Sequence, residues 1–276
     1  MHDGSSGWAQ GSDWKVDRVP TRGLAEEALK KAIDSADPRG IEPAPMTVVL
    51  DPYATSDLLY MLSLPGMNAR AVAEGRSWMA NRIGEQAMSE LVSIWDDGQD
   101  PKGLPRPFDS EGTPKRWVDI VNEGIIQAPV HDRKTAKQAG AESTGHALPY
   151  DIPPMARRYA PLPMNLFMAP GEQRTEELIA STQHGLYITR FWYTRLVHPR
   201  DCVVTGMTRD GVFLIENGVI TKPVKDLRFT QSYVEALRDV EAVGSEIRLV
   251  TEDFLGSAVR APSLKIASFR FTGSTV

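Results

Sequence analysis

The spacing of apolar positions changes along this chain, and each change predicts a different element. In TRGLAEEALKKAIDSADP, Leu24, Ala25, Ala28, Leu29, Ala32 and Ile33 recur at helical spacing, and Pro38 stops the run. MTVVLDP predicts a short strand, Thr47 to Leu50, and YATSDLLYMLS a second helix from about Tyr53 to Ser63. From Gly98 to Pro163 the pattern dissolves into Pro, Gly and charge, as loops do. Within it, RWVDIVNEGIIQAP predicts two short strands around Asn122 to Gly124.

After residue 185 the period becomes two. Leu186 to His198 alternates and is rich in β-branched and aromatic residues. CVVTGM and GVFLIENGVITKPV follow, with Asn217-Gly218 between FLIE and VITK. That dipeptide predicts a hairpin, because a type I′ turn needs two positive φ values. SYVEALRDVEAV reads as an amphipathic helix with Val234, Leu237 and Val240 on one side, and EIRLV and LKIASFRF as closing strands. Many strands with few helices predict an α+β fold with a largely antiparallel sheet. Residues 1–20 read as a loop, with Trp8 and Trp14 expected to pack on something.

Composition narrows the function. The chain has 276 residues, 41% hydrophobic, which suffices for a sizeable core. A net charge of -5 argues against a general nucleic-acid binder. Cys202 is the only cysteine, which excludes an internal disulfide and a Cys-based zinc site. No apolar run reaches bilayer length and the first residues hold no signal core, so the expectation is a cytoplasmic protein with no membrane partner. The P-loop, dinucleotide and GxSxG signatures are missing, and no two of the five histidines are three or four residues apart.

Three stretches hold candidate chemistry. In PFDSEGTP, Asp109 and Glu111 form either a carboxylate pair for a metal or for acid–base work, or an acidic turn bonded to local N–H groups. In ESTGHALP, Thr144, Gly145 and His146 offer either close approach to a ligand backbone or a tight turn. The third stretch is GLYITRFWYTRLVHPRD, residues 185–201. Split by a period of two, one face is Leu186, Ile188, Arg190, Trp192, Thr194 and Leu196. The other is Tyr187, Thr189, Phe191, Tyr193, Arg195 and Val197. Neither face is purely apolar. Aromatics beside arginines fit a binding surface, and the alternative is a core strand with snorkelling arginines.

Residues 185–237 closely resemble the C-terminal domain of the TldD/TldE (PmbA) metallopeptidase family. VVLDP, GRSWMANRIGE, PFDSEGTP, TAKQAGAESTGHA and NLFMAPGEQRTEELIAST, in that order, extend the resemblance over nearly the whole chain. The resemblance implies that residues 1–45 are the end of an N-terminal domain and its connecting helix, with most of that domain missing, and that residues 46–276 are the C-terminal domain. The TldD type of subunit carries a zinc-binding HExxxH on the helix after the VVL strand and a further Cys ligand near the C-terminus. Here that helix has neither His nor Glu, and the C-terminal segment has no Cys. This implies a TldE-like subunit with no catalytic residues, metal ligands or cofactor of its own, partnered with itself or with a zinc-holding TldD-type chain. The expected substrate is an extended or unfolded peptide, lined by Arg190, Trp192, Tyr193 and Arg195, with the Thr144-Gly145-His146 loop as a second wall. A regulatory module without a proteolytic role, tied to DNA gyrase by the family's other name, is the alternative.

Overall fold

The computed structural model describes residues 5–153, 156–252 and 255–274. Its strands are β1 (Pro45–Leu50), β2 (Ile94–Asp96), β3 (Val118–Asn122), β4 (Ile125–Ile126), β5 (Asn165–Met168), β6 (His184–His198), β7 (Val203–Glu216), β8 (Val219–Pro223), β9 (Leu227–Ser232), β10 (Val240–Thr251) and β11 (Ala258–Ser274). Its helices are α1 (Thr21–Asp34), α2 (Pro52–Gly66), α3 (Ala69–Ala73), α4 (Arg133–Ala139), α5 (Thr175–Ala180) and α6 (Tyr233–Arg238). The fold is α+β, and the sheet is antiparallel except where β1 meets β6 and β5 meets β11.

Five strands close a circuit, β1-β6-β7-β9-β11 and back to β1. Phe191, Phe229 and Phe269, from three of them, pack ring against ring at 4.8–5.5 Å. Cross-strand aromatic contacts of this kind fix register as well as bury area. Asn217 and Gly218 have φ of 54° and 78°, so the hairpin joining β7 to β8 has the expected turn.

Helix α2 is the element that positions the site. Asp51 caps it, accepting from Tyr53 N at 3.1 Å, and Pro52 starts it with a φ already suited to a helix. The helix runs past the expected Ser63 to Gly66 and is buried nearly all round. It can pack this closely because Gly66 has no side chain: a Cβ there would lie 1.9 Å from the Trp78 ring nitrogen. The helix predicted near residue 233 is shorter than its pattern. It ends at Arg238, and Val240 begins β10. Val234, Leu237 and Val240, on either side of that boundary, are all buried. Among the described residues, no helix is long and apolar enough to cross a membrane.

Candidate functional site

Strand β6 starts as a core strand and ends as a surface. Leu186, Ile188 and Phe191 are buried, and Trp192, Tyr193 and Arg195 are exposed. The strict two-residue alternation fails. The pairing with β7 slips between Ile188 and Arg190, between Trp192 and Arg195, and between Leu196 and His198. Each irregularity re-aims the side chains after it. The middle one contains Tyr193 at φ 55°, a left-handed backbone that an aromatic residue adopts only at a cost. Phe191, grouped in sequence with Tyr193 and Arg195, therefore belongs to the core.

The re-aimed side chains form a stack. The Arg190 guanidinium lies 4.0 Å from the Trp8 ring centre and 4.7 Å from that of Trp192, and its Nη1 donates to Asp210 Oδ2 at 2.8 Å. Trp8 sits edge-on to Tyr53 at 4.9 Å, so this tryptophan of the leading loop packs as expected. Trp14 stays half exposed, donating Nε1–H to Pro101 O. Arg195 lies 4.3 Å from the Tyr193 ring centre.

Two clefts open on either side of this strand. One, about 260 Å³, runs under Trp8, Arg190, Trp192 and Tyr193; the other, about 790 Å³, is bounded by Arg195 and Leu196. Asp57, Thr194 and Glu252 line both, so the clefts meet there. Asp57 comes from α2. Its Oδ2 accepts from Thr194 Oγ1 at 2.9 Å, while Oδ1 is buried with no hydrogen-bond partner. Burial lifts the Asp57 carboxyl to about 7, against the opposing pull of the Thr194 bond and the Arg190 charge. One turn on, the Tyr60 hydroxyl is also buried without a partner, and burial raises its pKa. Neither residue was singled out from sequence. The available signal was a lone aspartate inside the otherwise uncharged run YATSDLLYMLS.

The face of α2 turned to the larger cleft presents Asp57, Tyr60, Met61, Leu64 and Pro65. Only Asp57 is an ordinary zinc donor, and a zinc site needs three or four protein ligands. These residues do not fit a zinc ion. Among the described residues, no group of three His, Cys, Asp or Glu side chains converges.

The other two stretches are internal. His146 is buried, with Nε2 at 2.8 Å from Asp96 Oδ1 and Nδ1 at 2.8 Å from Thr144 Oγ1. Burial pushes the imidazole below its ordinary value despite Asp96, so it sits as the neutral ring. Burial alone would raise Asp96, but Lys115, with Nζ 3.8 Å away, and His146 hold it below the usual carboxylate range. Since the imidazole is neutral, we assign the facing charge to Lys115. Asp96 Oδ2 accepts from Asn165 N. Gly145 has φ 75°, and a Cβ there would meet Pro114 O at 2.5 Å. The close approach that its glycine permits is to the protein's own backbone. In the Thr144-Gly145-His146 loop, Thr144 bonds His131 and His146, His146 bonds Asp96, and none of the three residues lines either cleft. Asp109 and Glu111 form an acidic turn: Asp109 accepts from Glu111 N, Thr113 N and Ala147 N, and Glu111 from Arg133 N.

Fold and clefts together define an α+β domain that carries a polar, aromatic-walled groove across one irregular strand. Residues 43–273 match the PmbA/TldA metallopeptidase C-terminal domain, and the chain belongs to that family. It is 28% identical over 254 residues to a metalloprotease TldD homolog of Haemophilus influenzae, covering 88% of this chain and 51% of that protein. A metalloprotease of Methanothermobacter thermautotrophicus is 26% identical over 229 residues, covering 83% and 48%. The chain spans about half the length of the curated relatives it matches. Among solved structures, a Thermotoga maritima protein described as a proposed modulator of a DNA gyrase superposes with a TM-score of 0.84 at 24% identity, over 97% of this chain and 59% of that one. TldE of Thermococcus kodakarensis superposes with a TM-score of 0.79 at 19% identity, over 93% and 56%. These last two likenesses establish the fold.

Proposed function

We propose that this chain is a TldE-like, zinc-free subunit of a metallopeptidase assembly and supplies the wall against which an extended peptide is held. The observation that carries this reading is the strand segment from Arg190 to Leu196, which borders two clefts that meet at Asp57 and Thr194. A long groove beside an irregular strand suits an extended chain, whose side chains enter pockets on alternate sides. Trp192 and Tyr193 provide contact area, and Arg195 provides charge for peptide carbonyls or carboxylates. The α2 face lacks a zinc donor set, so peptide-bond hydrolysis is assigned to a TldD-type partner holding the metal. In a homodimer the chain would bind peptide without cleaving it.

The test is reconstitution with a TldD-type metalloprotease. The expected result is a stable complex that cleaves an unfolded peptide, with zinc on this chain below about 0.1 per chain, since a bound site needs three or four ligands. Stoichiometric zinc on the isolated chain, surviving dialysis, would overturn the zinc-free assignment. Capture of gyrase in place of a TldD-type protein would favour the regulatory alternative.

A further inference from the structure

The larger cleft on α2 has a floor and a rim of different character. Its floor holds two buried polar atoms with no partner, Asp57 Oδ1 and Tyr60 Oη, one helical turn apart on the same face. Leaving either unpaired costs free energy, and because both residues line the cleft, a ligand there is the partner within reach once the side chains turn to it. The rim holds four guanidiniums, Arg70, Arg76, Arg158 and Arg195, against two glutamates, Glu74 and Glu252. Glu74 takes up Arg70 and Arg76 together. Among the described residues, Arg158 and Arg195 form no ion pair; each lies over a tyrosine ring instead, Tyr159 and Tyr193.

We infer that this cleft is a carboxylate-binding subsite, with Asp57 and Tyr60 at its floor and Arg158 and Arg195 facing the anion from the rim. The inference rests on the peptide-wall reading above and gives it a direction: the groove takes the C-terminal carboxylate of a peptide or an acidic side chain. The rim decides between anion and cation. An ammonium group seated on Asp57 would be opposed by the surplus of guanidiniums. A carboxylate is attracted by them and finds two donors at the floor, provided that Asp57 keeps its proton.

That condition makes the subsite pH-dependent. Arg190 of β6 acts on Asp57 directly, Arg70, Arg76, Arg158, Arg195, Glu74 and Glu252 line the same cleft, and the hydroxyls of Tyr60 on α2 and Tyr233 on α6 interact with it electrostatically. Asp57 titrates at about 7, so below that pH it is a donor. Above it, a second carboxylate meets like charge and one acceptor too many. A bound anion pushes the Asp57 titration further up.

The experiment compares dye-labelled unfolded peptides by fluorescence anisotropy, using the full chain. One has a free C-terminal carboxylate, one is its amide, and a third is the amide with one internal Glu. Near pH 6 the free acid should bind about tenfold tighter than the amide, as expected for loss of a charge-assisted contact. The preference should shrink above about pH 8 in the native protein and persist there in Asp57→Asn, whose amide still donates but does not titrate. Tyr60→Phe should lower it at both pH values. Recovery of affinity by the Glu peptide would identify a side-chain carboxylate as the ligand, and no recovery the chain terminus; either supports the subsite. Equal binding of acid and amide overturns the subsite and leaves the peptide wall standing. Binding of no peptide overturns both.

Discussion

Two polar regions of this molecule are built from similar residues, yet they differ in what they leave unfinished. At Asp96, both carboxylate oxygens are engaged, the imidazole bonds through both nitrogens, and the left-handed backbone position is a glycine. At Asp57, one oxygen and a nearby phenol are buried without partners, and the left-handed position is an exposed tyrosine. Protein interiors satisfy their polar groups and put glycine where φ is positive. A region that does neither is held in that state by the surrounding fold, and such strain gathers where ligands bind. Lys115 Nζ and Asn165 Oδ1 beside Asp96 are also buried without hydrogen-bond partners, so what separates the two regions is that Asp57 and Tyr60 line a cleft and Asp96 and His146 do not.

The sharpest break is at the Asp96–His146 network. His146→Ala takes a hydrogen bond from the buried Asp96 Oδ1 and leaves a cavity, while Lys115 stays 3.8 Å away, so stability should fall by about 2–3 kcal/mol. Denaturant unfolding measures this. A loss under about 1 kcal/mol, typical of a surface change, would mean the network is not structural.

A smaller effect of opposite sign is expected at Asp57. Its folded pKa of about 7 lies above the ordinary value of 3.8, so the folded chain holds more protons than the unfolded one between those values. Stability therefore falls as pH rises through that window. The bound on this cost at pH 8 is about 4 kcal/mol, and solvent in the cleft reduces it to about 1–2 kcal/mol. Asp57→Asn should raise the Tm at pH 8 by several degrees and leave it nearly unchanged near pH 4. An equal shift at both would remove the pKa argument.

The smallest effect is at Tyr193. Tyr193→Gly relieves about 1 kcal/mol of left-handed strain and gives back about as much in unfolded-chain entropy. The Tm should hold to within a degree or two, whereas Gly145→Ala, with its Cβ against Pro114 O, should lower it clearly. If Tyr193→Gly is as damaging as Gly145→Ala, Tyr193 is a structural residue.

Much of the fold was legible because it is local. The Asn217-Gly218 hairpin, the Glu123-Gly124 turn between β3 and β4, and the long run of β6 are each specified by neighbouring residues. β2 and β5 were not. They are three and four residues long, nearly all buried, and defined by pairing with each other across about 70 residues of sequence. The site was half legible. Aromatics beside arginines marked the surface end of β6, but a fixed period cannot foresee bulges, and so it put Phe191 on the wrong side. The burial of His146 was not legible because nothing in ESTGHALP reveals Asp96, which lies 50 residues earlier. Asp57 was overlooked because burial, not identity, makes it unusual.

The central claim is that the exposed end of β6 is a peptide wall and not a core strand with surface arginines. The most direct measurement is the rate at which the reconstituted pair cleaves an unfolded peptide when this chain carries Trp192→Ala and Arg195→Ala, with circular dichroism as the fold control. Both side chains are exposed, so the variant should fold, and cleavage should drop about tenfold or more, since truncating such contacts costs on the order of 2 kcal/mol. A folded variant with an unchanged rate, or one that fails to fold, would contradict the account.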